Sequence, residues 1–252
     1  MFDVKDKVAI ITGAGQGIGR AYARAFAAHG AHPVLLDLHA PELEEVLAEV
    51  KPHAPRAAIA VCDISDAVAV ERAVAQVISA FGRIDILINN GAIFSKIIMR
   101  PFTEIPLDEW CRVLEVNVTG TFLCCRAVAK TMQQQKSGTI VNIASAAVNM
   151  GRENYLHYVT SKSAIIGLTR AMARELGRFN IRVNAISPGA TDTEVTRETV
   201  TPEQKAAQIS MRSLRREQTV DDLTGVALYL CSDASRFVTG QTLTVDGGLT
   251  YS

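Results

Sequence analysis

The sequence predicts a doubly wound α/β protein, a parallel β-sheet covered by helices on both faces. Three observations predict it. Seven short apolar runs, at residues 8–12, 34–38, 58–62, 84–88, 139–143, 182–186 and 242–245, read as strands. Several are near-continuous Val, Ile and Leu instead of alternating with polar residues, the pattern of strands buried on both faces. Between them lie stretches such as 67–81 and 155–178, in which apolar residues recur every three or four positions. That is the period of an amphipathic helix. Strand, helix, strand, repeated along the chain, is the order that builds such a sheet.

The 252 residues contain no long Pro/Gly/Ser linker, no charge block and no solenoid-like repeat, so one domain over 1–252 is expected. Hydrophobic residues make up 48% and charged residues 21%, enough apolar surface to exclude a disordered chain. Lys plus Arg number 26 and so do Asp plus Glu. A zero formal balance gives no electrostatic reason to expect nucleic acid or an anionic membrane as partner. No run of 18 apolar residues occurs, so no membrane span is expected. Residues 1–7 lack the basic, apolar, small-residue order of a secretory signal. The five cysteines are odd in number and show no metal-ligand spacing, and adjacent Cys124 and Cys125 make a poor disulfide pair. A reducing, cytoplasmic setting without a metal site is the plain expectation.

The first run leads into Thr12-Gly13-Ala14-Gly15-Gln16-Gly17-Ile18-Gly19. This departs from the G-x-G-x-x-G dinucleotide fingerprint, because Ile18 stands where the third glycine falls. Glycines at 13, 17 and 19 still offer backbone that tolerates positive φ and close approach of a pyrophosphate, followed by a helix N-terminus aimed at it. Asp37 ends the second run, eighteen residues after Gly19. A carboxylate there can bind the adenosine ribose hydroxyls and repels a 2′-phosphate. Neither Gln16 nor Leu38 supplies a compensating cation, so NAD is expected over NADP.

Ser145 follows the run 139–143, and Tyr158 and Lys162 stand four apart on the next predicted helix. That spacing puts a phenol and an ammonium on one face. A phenol with a pKa near ~10 is a poor base at neutral pH, and a nearby cation favours its ionised form. The pair therefore suits proton acceptance from an alcohol, with the Ser145 hydroxyl able to bond the same oxygen. Taken singly, such a pair is common on helices, and Ser145 reads as a strand-end serine. Tyr155 has Val159 at the same spacing and so no such cation. His157 points about 100° from Tyr158 around the helix and is expected in packing or an interface. His29, His32, His39 and His53 suggest no metal site, and Asp108 and Glu109 read as helix-start acids.

With Asp63 after the third strand, Asn89-Asn90 after the fourth, Asn117, Pro188-Gly189 with Thr193, and Asp246-Gly247-Gly248, these motifs occur in one order. In that order the chain resembles the short-chain dehydrogenase/reductase family, from about Lys7 to Gly248. The resemblance implies a single Rossmann-fold domain with a seven-stranded parallel sheet, and hydride transfer between NAD(H) and a secondary alcohol or ketone. It implies that Tyr158 is the general base in oxidation and acid in reduction, and that Lys162 lowers the tyrosine pKa and holds the nicotinamide ribose. Ser145 would stabilise the alkoxide, and Asn117 would hold a water relaying protons from Lys162. Gly13, Gln16, Gly17, Ile18 and Gly19 would serve the pyrophosphate, Asp63 and Ile64 the adenine, and Asn90 and Gly91 the adenosine ribose. Pro188, Gly189, Thr191 and Thr193 would hold the nicotinamide carboxamide. A homotetramer is implied as well. One departure stands out: the family's usual Asn-Asn-Ala-Gly is Asn89-Asn90-Gly91-Ala92 here, which puts contacts at position 92 in doubt.

Substrate contacts are expected from residues 93–100, from 146–155 and from a flap at about 190–214. The first contributes Ile93, Phe94, Ile97 and Ile98, suited to an apolar ketone. The second contributes Asn149, Arg152, Glu153 and Asn154, suited to a sugar, polyol or other polar molecule. Arg197 and Arg212, with Arg215 and Arg216 just beyond, are candidate anion clamps, though most such arginines are solvated or structural. A small or medium secondary alcohol with at least one polar group is the expected substrate. Two other readings stay open. One is a 3-oxoacyl thioester reductase, which usually goes with NADP and basic residues near Gln16 and Leu38. The other is a non-catalytic nucleotide-sensing protein, which would be expected to have lost the tyrosine or lysine.

Overall fold

The computed structural model describes residues 2–195 and 201–251. Strands β1 (Val8–Thr12), β2 (His32–Asp37) and β3 (Ala58–Val61) alternate with helices α1 (Gly17–Ala28), α2 (Ala40–Val50) and α3 (Ala67–Phe81). Then come β4 (Ile86–Asn89), α4 (Leu107–Leu114), α5 (Thr121–Gln135), β5 (Gly138–Ile143), the short α6 (Ala147–Met150) and α7 (Leu156–Leu176). The chain finishes through β6 (Ile181–Pro188), β7 (Thr191–Asp192), α8 (Pro202–Met211), β8 (Gln218–Thr219), α9 (Asp221–Cys231) and β9 (Thr242–Val245). Seven strands form one parallel sheet in the order β3-β2-β1-β4-β5-β6-β9.

Local chemistry sets the helix ends. Asp66 accepts from the Val68 and Ala69 amides to cap α3, and Gly82, with φ 72°, ends it in the left-handed conformation. Successive side chains of a strand point to opposite faces. Ile11 joins Tyr22, Phe26 and Leu43 in the core under α1 and α2, while Ile10 joins Val70, Val74 and Val128 under α3 and α5. Both faces are covered, as the unbroken apolar runs require.

Several strand boundaries differ by one or two residues from expectation. Leu38, Cys62 and Ile84 fall outside their strands, and Leu38 is exposed. The helix expected at 155–178 is α7 followed by a 3₁₀ turn at Gly177–Phe179. β7 and β8, which pair with each other in the flap, are too short for any periodicity to announce. Between α4 and α5 the backbone widens into a π turn, Glu115–Gly120. A Cβ on Gly120 would stand 2.9 Å from Ile64 Cγ1, so the turn needs a residue without a side chain. The chain runs outward from β1 to β3 and then returns to place β4 beside β1. That reversal leaves a crevice at the carboxyl ends of these strands, where ligands bind in open α/β sheets.

Candidate active site

A cavity of about 360 Å³ occupies this crevice. From the β1 to β4 half of the sheet it is lined by Gly13, Gln16, Gly17, Ile18, Asp37, Asp63, Ile64, Asn90 and Gly91. From the β5 to β6 half it is lined by Ser145, Tyr158, Lys162, Pro188, Gly189, Thr191 and Thr193. Of the expected residues, Gly19 and Asn117 lie one layer behind.

The glycine turn is built by close packing. Gly13 has φ +63°, and a Cβ there would lie 2.7 Å from the Gly91 Cα. Asn90 donates from its amide group to the Thr12 and Gly13 carbonyls at 3.1 and 3.0 Å, while the Asn90 and Gly91 backbone amides donate to the Thr12 hydroxyl. Position 91 carries the tight contact, and Ala92 lines the cavity with no positive φ.

Asp37 accepts from the Gly15 amide at 3.0 Å and from the Leu38 amide at 2.7 Å, so it both shapes the turn and presents charge at the cavity edge. Leu38 and His39 follow it in the lining, and neither is a Lys or Arg. At Asp63, burial pushes the carboxyl up, but the Ser65 hydroxyl and amide and the Arg112 guanidinium outweigh it and hold the pKa below the usual range.

At the other end, the Ala144 amide bonds the Ile186 carbonyl and the Ala146 amide the Pro188 carbonyl, carrying the β5–β6 pairing past Ser145. Ser145 accepts from the Ala147 amide at 3.2 Å, which turns its hydroxyl into the start of α6. Lys162 is buried, donates to the Ile143 carbonyl at 2.8 Å, and lies 5.8 Å from the Tyr158 ring centroid. Burial lowers its pKa to about 8. Asn117, carried on the π turn, accepts from the Ile93 amide at 2.7 Å and donates to Ser161 at 3.1 Å and the Ile93 carbonyl at 3.2 Å. Its side chain thus ties the 93–100 loop to α7. Its carbonyl accepts from Thr121.

The substrate-side expectations divide. Ile93 and Phe94 line the cavity, whereas Ile97 is buried behind it and Ile98 is exposed. Of Asn149, Arg152, Glu153 and Asn154, the cavity lining includes Arg152 alone. Arg212 is buried and donates to the Ala190 and Arg216 carbonyls, which makes it a brace of the flap. Arg216 pairs with Asp222, Arg215 is exposed, and Arg197 lies outside the described residues. Tyr155 has Val159 and no cation at i+4, as expected, but it has one at i−3. Arg152 stands over its ring at 5.8 Å, and Tyr155 itself packs on Tyr158 at 4.6 Å. The three-residue spacing of the two tyrosines was the signal available for that contact. Phe94 lies 5.3 Å from Tyr158, and Arg112 at the Asp63 end is a further lining residue that spacing did not single out. His157 is fully buried against Glu109 at 3.0 Å, and Glu109, in the first turn of α4, also pairs with Arg100. No metal-holding cluster and no helix long and apolar enough to cross a membrane occur among the described residues.

Sheet order and the position of the cavity together define a protein of the Rossmann-fold class. The chain belongs to the short-chain dehydrogenase/reductase family. A family model described as enoyl-(acyl carrier protein) reductase matches residues 13–250. An uncharacterized oxidoreductase of Mycobacterium tuberculosis is 41% identical over 249 residues, 98% of each chain. Among solved structures, an NAD⁺-bound xylitol dehydrogenase superposes with TM-score 0.90 at 37% identity, over 97% of this chain and 99% of that one. A 3-oxoacyl-[acyl-carrier protein] reductase with bound NAD from Brucella melitensis gives TM-score 0.91 at 37% identity, over 100% and 94%.

Proposed function

We propose that this single-domain chain is an NAD-dependent dehydrogenase/reductase of a small or medium secondary alcohol carrying at least one polar group. The observation that carries the reading is the convergence of Ser145, Tyr158 and Lys162 on one cavity whose far end presents the Asp37 carboxylate, followed in the chain by Leu38 and not by a Lys or Arg. The residues suit a dinucleotide: Gly13 leaves no room for a side chain where backbone must come close, and α1 points its N-terminus at the cavity. When bound, NAD(H) supplies the hydride acceptor or donor. The chain's own part is proton handling and orientation. Tyr158 Oη takes the alcohol proton in oxidation and returns it in reduction, the Ser145 hydroxyl donates to the developing alkoxide, and the Lys162 ammonium favours the phenolate.

Asp37→Asn keeps an acceptor for the Gly15 amide but removes the charge. It is expected to narrow the NAD-over-NADP preference by roughly tenfold, read as the ratio of kcat/KM values. An unchanged ratio removes the electrostatic account of cofactor choice. Because burial lowers Lys162 to about 8, its ammonium is present below that pH and lost above it. The profile of kcat/KM for alcohol oxidation is therefore expected to turn downward on its alkaline side near that value. A limb that climbs unbroken through pH 10 contradicts the role given to the ammonium.

An absorbance screen at the reduced-nicotinamide band, across polyols, sugars and hydroxy acids with both cofactors, tests the substrate class. Turnover confined to 3-oxoacyl thioesters overturns it. That second reading is supported by the Brucella melitensis reductase, whose bound NAD means that cofactor preference does not separate the two. The xylitol dehydrogenase supports the polar alcohol. A homotetramer in the cytoplasm completes the proposal. The five free thiols fit a reducing compartment, and a light-scattering mass of one chain is the contrary result for assembly.

A further inference from the structure

Residues 191–195 leave the sheet after β6 and reach α1 on the opposite half of the crevice. The start of this strap is tied down. β7 pairs with β8, and Lys205 on α8 bridges Asp192 at 2.9 Å and Glu217 at 3.0 Å. Farther along, the side chains alternate. Thr193 and Val195 line the cavity, and a Cβ on Gly17 would lie 3.8 Å from the Thr193 Cγ2 and 3.5 Å from the Val195 Cγ2. Glu194, between them, is exposed and does not line the cavity. Its Oε1 accepts from the Gly17 amide at 2.9 Å, and the Arg20 guanidinium lies 3.8 Å from the same oxygen.

This carboxylate fills a gap in α1. Gln16 makes no side-chain cap bond, and the first turn contains no acid. Helices favour an anion at this end, where backbone amides lack intrahelical partners. Here the anion comes from 177 residues away in sequence.

We propose that Glu194 is a latch for the cofactor, a positioning residue that ties the strap to α1 from outside the cavity. It holds Thr193 and Val195 in the cavity wall and slows dinucleotide release. The inference rests on the dehydrogenase reading above and adds to it a residue that sets how long the dinucleotide stays. The latch closes at the switch point, where the two halves of the sheet meet, so it acts on dissociation more than on encounter. Glu194 takes the amide of Gly17, a residue of the cavity lining, but does so from outside that lining.

The test is stopped-flow release of NADH, followed by its fluorescence during displacement by excess NAD⁺. Glu194→Ala is expected to raise the dissociation rate about three- to tenfold, with the association rate within about twofold of wild type. Glu194→Gln, which keeps an acceptor but no charge, is expected to fall between, and it carries the test should the alanine variant fold poorly. Added salt should speed release from wild type more than from either variant, because it screens an exposed charge. Unchanged off-rates in both variants overturn the latch alone. Tighter NADH binding overturns it in favour of a competing carboxylate. A folded wild type that binds no NADH removes the dehydrogenase reading and the latch together.

Discussion

Replacing Tyr158 by phenylalanine is expected to lower turnover about 100- to 10,000-fold, the usual contribution of a positioned acid or base. NADH affinity should stay within about twofold, since the substitution removes one hydroxyl. The ring contacts survive it. Tyr158 is buried, with Tyr155 at 4.6 Å and Phe94 at 5.3 Å, and a phenyl ring keeps both neighbours. Urea unfolding should therefore move by less than about 1 kcal/mol, which separates a chemical defect from a folding one. Initial rates at the reduced-nicotinamide band and a fluorescence titration with NADH provide the check. Undiminished turnover would end the assignment of Tyr158 as proton carrier, and with it the roles given to Lys162 and Ser145.

The second large effect is expected at Gly19, which never touches the cavity. A Cβ there would overlap the Gly13 carbonyl oxygen and stand 2.8 Å from its carbonyl carbon and 2.7 Å from Asn90 Nδ2. Two of these atoms are backbone, and the amide of Asn90 is the group that pins the turn, so nothing can swing aside. Gly19→Ala is expected to cost about 2–4 kcal/mol in urea unfolding and to weaken NADH binding as the turn shifts. Gly167→Ala is the contrast. It lies within α7 with nothing within 4 Å of an added Cβ, so it should stabilise by about 0.5–1 kcal/mol through helix propensity. Equal responses at the two positions would contradict the close approach between α1 and the turn.

Lys162 shows how far side-chain spacing can be trusted. Four residues on a helix put its ammonium on the Tyr158 face, but the 2.8 Å bond to the Ile143 carbonyl and the pKa near about 8 come from burial beneath β5. Asn117 extends the point. Its expected water relay rests on resemblance, and what the structure adds is that its side chain bonds Ile93 and Ser161 across a π turn that no local pattern announced.

Sheet class, the glycine turn, the strand-end acid and the order of the reactive residues were all legible along the chain. Periodicity, turn chemistry and capping act between residues a few positions apart, and strands this apolar need cover on both faces, which helices between them supply. The bond from Glu194 to Gly17, the guanidinium of Arg152 over Tyr155 and the bracing role of Arg212 were not legible. Each joins a loop to a distant element or another turn of the same segment. Their partners are chosen by strand order and by the volume left once both cores are filled, and neither quantity exists until the whole chain has closed on itself.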